Sequence, residues 1–440
     1  MNNKLRVAGA LAALALVSGC GVFKGQGKKT PVLGERVPIL MSENDITADK
    51  TLANVDVIVP EAAVNEDWTQ PGGSASKSMG HLALSATPAR LWTKEVAKTS
   101  KKERLAATPV IAGGKLFVMD TNGDVHAMDA DSGNPLWTVA TAKPDSNKAA
   151  RFGGGVSVSG EHLFASNGMG DVVALNVADG TELWRKRPGG PLRGAPTLAG
   201  ENLYVLSQDN QLFAMNQTTG DVSWTASASL ETQGVFGVAA PAYGQGTLIA
   251  GFSSGELNAY RFENGRSLWS DVLSRSSMTT SVSSLSDIDA EPVIDQGRVY
   301  AVGQGGRMVA MDIATGNRMW EQNIAGISTP WVAGEWIFVV TDDARLMCLS
   351  RTSGKVRWIA QLKHYKNPKK PKDPYGWVGP VLAGGKLILG NTHGELVFVS
   401  PADGSVTSTI ELKDPISLQP VVANNTLYVL DDKGRLSAFR

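Results

Sequence analysis

The side chains that could do chemistry are few and scattered. His81, His126, His162, His364 and His393 are the only histidines, and they lack the close spacing by which imidazoles chelate a metal. His126 and His162 fall in repeated strands and read as ordinary surface positions. Ser74-Ala75-Ser76-Lys77 fits the Ser-x-x-Lys spacing in which a lysine activates a serine nucleophile, but the companion motifs of that chemistry are absent. Asp129 and Asp131 imitate the start of a calcium loop. Sister positions carry Asn176, Asn216, Arg261 and Ser350, so turn chemistry is the better account. No catalytic residue, no metal ligand and no cofactor site is expected.

The N-terminus reads as a processing signal. Lys4 and Arg6 precede an uncharged apolar run, Val7 to Val17, and small residues then lead to Cys20. That run is far shorter than the roughly 20 residues that span a bilayer. Val17-Ser18-Gly19-Cys20 resembles a bacterial lipobox, which implies removal of residues 1–19 and acylation (palmitate among the acyl groups) of Cys20. Gly21, rather than Asp, follows the cysteine and fits release to the outer membrane. Residues 20–80 then read as an acylated tether and lead-in, rich in turn residues over Trp68 to His81 (WTQPGGSASKSMGH). Lys plus Arg equals Asp plus Glu at 42 each, which argues against a nucleic-acid partner.

What must position any site is a repeat. The stretch IAGGKLFVMDTNGDVHAMDADSGNPLW (Ile111 to Trp137) recurs with the same order ending at Trp184, Trp224, Trp269, Trp320 and Trp358. A seventh copy, Leu382 to Ser408, lacks the tryptophan, and an eighth starts at Val422 and stops at Arg440. Each copy holds a short alternating strand and a turn ending in Gly or Asn, which tolerate positive φ; Ala344 is the exception. A second strand follows, with a small residue at one place: Ala127, Ala174, Ala214, Ala259, Ala310, Cys348 and Ala438. Phe398 breaks that rule in the seventh copy. A second glycine turn then precedes the tryptophan by four residues. Cys348 thus reads as a small buried hydrophobe.

Short hairpin-linked strands repeated every 40 to 50 residues or so predict four-stranded blades about an axis. The fold expected is all-β: an eight-bladed β-propeller over residues 81–440, monomeric. The eighth copy is one strand short, and Ala89 to Val96 carries Trp92 with no copy before it. An N-terminal strand that completes the last blade closes the ring and removes two exposed edges.

Three connections exceed what a propeller needs, and long loops often carry function. Ser274 to Pro292 holds Asp287 and Asp289 side by side after the uncharged run Ser276 to Ser286. Leu362 to Trp377 interleaves Lys363, Lys366, Lys369, Lys370 and Lys372 with prolines; it reads equally as a contact for an acidic partner or anionic headgroups and as a solubilising loop. Leu230 to Pro241 exposes Val235 and Phe236.

AMDIATGNRMW and its sister copies resemble the PQQ-like repeats shared by quinoprotein dehydrogenases and by the BamB family, lipoproteins of the outer-membrane β-barrel assembly machine. The resemblance covers about Ala89 to Arg440. Ser283 to Val293 (SSLSDIDAEPV) looks like the LSDVD-type loop of that family. The resemblance implies a non-catalytic scaffold at the periplasmic face of the outer membrane that binds the POTRA domains of BamA and assists the folding and insertion of outer-membrane proteins. Carried over by position, the partner-binding residues are Leu285, Asp287 and Asp289 in one loop and Gln233, Val235 and Phe236 in the other. Where relatives have Leu-x-Leu-Arg this chain has Gln233-Gly234-Val235-Phe236, so the arginine is missing there. The rival readings are a quinone-dependent dehydrogenase and a periplasmic propeller for another protein or a glycan. An adjacent cysteine pair, carried by many such alcohol-oxidising enzymes, is absent.

Overall fold

The computed structural model describes residues 46–96, 105–142, 152–230, 238–273, 287–367, 369 and 372–440. Cys20 and the rest of the expected signal lie outside them. One compact unit begins at Ile46 and runs to Arg440. It contains eight four-stranded antiparallel sheets, and the only helical turn among the described residues is the 3₁₀ turn Lys50–Leu52. The expected propeller is therefore the fold. Within each blade the strands are called a to d from the axis outward, and the blades I to VIII in chain order from Val110.

Strand a is three residues long in six blades and fully buried in four of these, as in Val110–Ala112, whereas d alternates exposed and half-buried in most blades, as in Pro135–Ala140. That gradient follows from the geometry of a ring: the axis is covered on all sides and the rim on one. The turn residues behave as their types require. Gly123, Gly170, Gly255, Gly306, Gly394 and Gly434 all have positive φ, as does Asn210 (61°). Ala344 takes the same left-handed shape at φ 61°, which an L side chain adopts only at a cost.

Closure is as expected. Arg90–Glu95 pairs with Arg435–Phe439 and supplies strand d of blade VIII. Ala89 and Arg440 exchange backbone hydrogen bonds at 2.7 and 2.9 Å, which seals the seam.

The small position and the tryptophan turn out to face each other. Ala127 pairs with Trp137, Ala214 with Trp224, Ala310 with Trp320 and Cys348 with Trp358 across strands c and d. A small residue there leaves the ring room to lie over the sheet. Each ring also reaches the next blade. The indole N–H of Trp184 donates to Gln217 O at 2.9 Å and that of Trp320 to Arg351 O at 2.9 Å. The second glycine of each copy lies under the tryptophan of the preceding blade. A Cβ on Gly220 would come within 2.6 Å of the Trp184 ring, and one on Gly354 within 2.5 Å of Trp320. The repeat spacing within one copy thus encodes contacts between two.

Candidate functional site

The axis is where the chain departs most from its repeat. Strand a of every blade has one edge without a blade partner, and such an edge holds unpaired N–H and C=O groups that must be satisfied. Residues 65–82, read from sequence as lead-in, supply the partners. Asn65 O accepts from Asn424 N, and its side chain donates to Val422 O in blade VIII. Trp68 exchanges two bonds of 2.8 Å with Ile111 of blade I, and Thr69 O accepts from Val158 N of blade II. Gln70 Oε1 takes Leu198 N of blade III at 2.9 Å. Ala75 O and Ser76 O accept from Tyr243 N and Ile294 N of blades IV and V, each at 2.8 Å. Gly80 O accepts the Trp331 indole N–H of blade VI at 2.7 Å, and Leu82 N donates to Leu382 O of blade VII.

The segment therefore visits all eight blades in ring order. Ile111, Val158, Leu198, Tyr243, Ile294, Leu382 and Val422 hold the same register position, each being paired with the second residue of its strand b. Its turn-rich composition is what a chain circling a narrow axis requires. Gly72, Gly73 and Gly80 have φ of 69°, 88° and 65°, and Lys77 has 63°. Trp68 and Leu82 are buried, and Trp68 stacks on Trp331 with centroids 6.4 Å apart. Lys77 is buried; its ammonium donates to Pro71 O at 2.7 Å and faces Glu291, so it does not serve Ser74. Burial holds that ammonium below its ordinary range, with Glu291 opposing the effect.

Asp287 and Asp289 sit in the connection from blade IV to V, at the axis rather than in a solvated loop. Asp287 is 0% exposed. Arg193, 1% exposed and carried by the connection from blade II to III, places Nη2 2.8 Å from Asp287 Oδ1 and 3.0 Å from Asp289 Oδ1. One guanidinium thus meets two carboxylates. Burial drives the Asp287 carboxyl up, with Arg193 opposing it. Burial and then the neighbouring Asp287 push Asp289 up to about 7, with Arg193 opposing and Asp342 adding a smaller push.

Sequence reasoning found the two acids and missed the base. That base is Arg193, in Leu192-Arg193-Gly194 of the connection from blade II to III. The signal was a lone Leu-Arg-Gly string between repeats, unremarkable until folding brought it to the acids. Gln233, Val235, Phe236 and Leu285 lie outside the described residues.

The other candidates resolve as structural groups. Asp129 Oδ1 accepts from the N–H and hydroxyl of Ser132, a turn cap. His126 bonds Asp120 at 3.0 Å. Cys348 is fully buried, and burial pushes its thiol up. Among the described residues no three His, Cys, Asp or Glu side chains are grouped to hold a metal ion.

Repeat, ring and filled axis define a propeller of the PQQ-like repeat class. The chain belongs to the family whose model is described as outer membrane protein assembly factor BamB, matched at residues 78–147, 122–360 and 367–440. It is 27% identical over 358 residues to the assembly factor BamB of Yersinia pestis, covering 80% of this chain and 89% of that one. It is 28% identical over 388 residues to that of Escherichia coli strain K12, covering 78% and 86%. Solved structures with the same fold include BamB from Moraxella catarrhalis, with TM-score 0.66, 17% identity and coverage of 81% and 98%. Quinohemoprotein alcohol dehydrogenase from Comamonas testosteroni aligns as well, with TM-score 0.67, 13% identity and coverage of 86% and 81%. Fold alone therefore does not separate scaffold from enzyme.

Proposed function

We propose that the chain is a non-catalytic scaffold of outer-membrane protein assembly, held to the periplasmic face of the outer membrane by acylated Cys20, and that it binds the POTRA domains of BamA. The observation that carries this reading is the match of the assembly-factor model across nearly the whole propeller, including the SLSDID connection. The axis adds support. Its strand edges are used by residues 65–82, and its polar interior is an ion-paired cluster committed to holding connections in place.

In this reading Asp287 and Asp289 act chiefly on the loops beside them. Arg193 clamps the connection from blade IV to V against that from II to III, and Leu285, Gln233, Val235 and Phe236 are the further residues proposed to meet the partner. The cluster is poorly satisfied for a merely structural one. Arg193 Nε and Nη1 and Asp287 Oδ2 are buried without hydrogen-bond partners among the described residues. Stability forgone in this way is characteristic of functional sites.

The test is affinity purification of the full-length lipoprotein from membranes. Asp287→Ala with Asp289→Ala should abolish recovery of BamA while the ring stays folded by circular dichroism; undiminished recovery would remove these residues from the site. Mass analysis of the mature N-terminus should show a triacylated Cys20. For the dehydrogenase reading, pyrroloquinoline quinone and calcium with an alcohol and a redox dye should give no turnover; robust turnover would replace the scaffold reading.

A further inference from the structure

We propose that the axial rim formed by the eight a strands is a binding site for one extended polypeptide, and that residues 65–82 are its ligand, held in cis. This stands independently of the partner proposed above. Three features distinguish a ligand from an ordinary strand of the fold.

First, the segment belongs to no blade. The ring closes without it, because Arg90–Glu95 completes blade VIII from further along the chain. Second, recognition runs mainly through the backbone at one repeated register position, the mode by which open sheet edges take up extended peptides. Third, side-chain anchors are few and spaced. Trp68 fills the axis against Trp331. Gln70 reads the backbone of Leu198 on both sides, accepting from its N–H at 2.9 Å and donating to its carbonyl at 3.5 Å. Lys77 answers Glu291, and Leu82 is buried where blade VII exchanges bonds with it on both sides, through Leu382 O and Gly384 N. The flank 53–64 is mostly exposed, as expected of chain that only leads to a site. The ligand class is thus an extended, glycine-containing peptide with an aromatic residue, an amide, a cation and an aliphatic residue in that order.

The lead from Ala83 to Ala89 allows a test on the whole protein. A protease recognition sequence placed after Ala86 in the full-length chain leaves Arg90–Glu95 with the ring. After cleavage the N-terminal fragment should co-elute with a ring whose circular dichroism is unchanged. A labelled synthetic peptide of residues 63–84 in excess should then exchange into the site. The same peptide with Trp68→Ala and Lys77→Glu should compete at least about tenfold more weakly. Release of the fragment from an intact ring on cutting would show that the segment is a passenger and overturn the proposal. Unfolding of the ring on cutting would show it to be core, and equal competition by the altered peptide would deny a specific site; either also overturns it.

Discussion

Phe398 lies directly across from Ser408 in blade VII, an inversion of the small-residue and tryptophan pair found in the other blades. Both departures are visible in the seventh copy, and their cause lies in the eighth. Each tryptophan needs the c–d turn of the following blade: a glycine to lie over and a carbonyl to accept its N–H. Blade VIII has no such turn, because its c strand ends the chain and its d strand comes from Arg90–Glu95. Phe398, buried from strand c, fills the space instead. Phe398→Ala should cost about 3 to 5 kcal/mol. Adding Ser408→Trp should recover less than half of that in urea titration, since the ring would have no turn to rest on.

The interlock between blades has a matching consequence. Gly220 has φ 73° and faces the Trp184 ring, with no room for a Cβ. Gly220→Ala should therefore destabilise the protein by about 1 to 3 kcal/mol, and Trp184→Ala with it should cost less than the two changes summed, because the clash has gone. Additive losses in denaturant midpoints would contradict the contact.

Removal of residues up to Lys94 should open the ring. It would leave strand c of blade VIII with a bare edge of buried, apolar character, Leu436, Ala438 and Phe439 included, and such edges template aggregation. Light scattering at equal concentration should rise strongly in the truncated chain; a monodisperse monomer would argue against this seal.

Arg193 offers the sharpest separation of contact from support. Arg193→Met leaves Asp287 and Asp289 buried without a counter-charge and should cost about 3 to 5 kcal/mol. Combined with Asp287→Asn and Asp289→Asn it should regain most of that stability. If the cluster positions the loops, the triple variant keeps measurable BamA binding; if the carboxylates themselves make the contact, binding stays lost.

The same cluster sets a pH dependence. Asp289 titrates near 7 in the folded chain and near 3.9 when unfolded, so the native state holds its proton more tightly. Its contribution is thus greatest at low pH, falls as pH rises from about 4 to about 7, and is flat above. Asp289→Asn should remove this slope and raise the melting temperature relative to the parent at pH 8 but not at pH 4. An identical profile in the variant would place the titration elsewhere.

The propeller was legible because its repeat is local chemistry: left-handed turns demand Gly or Asn, strand alternation sets two faces, and the shortfall at Arg440 matches the spare strand at Trp92. Sequence likewise marked Asp287 and Asp289, because paired acids that follow eleven uncharged residues, 276–286, stand out against periodic background. It also recorded glycine and tryptophan at fixed spacing but not their contact, since a one-dimensional period cannot say which neighbour a ring will cover. Tertiary structure alone decided three things. It gave the tryptophan to the glycine of the next blade, it brought Arg193 to acids more than ninety positions away, and it turned residues 65–82 from apparent tether into the lining of the axis. The physical reason is common to all three. Such contacts depend on how separately folded sheets are arranged around a circle, and a segment that bends at every blade carries no period to betray it.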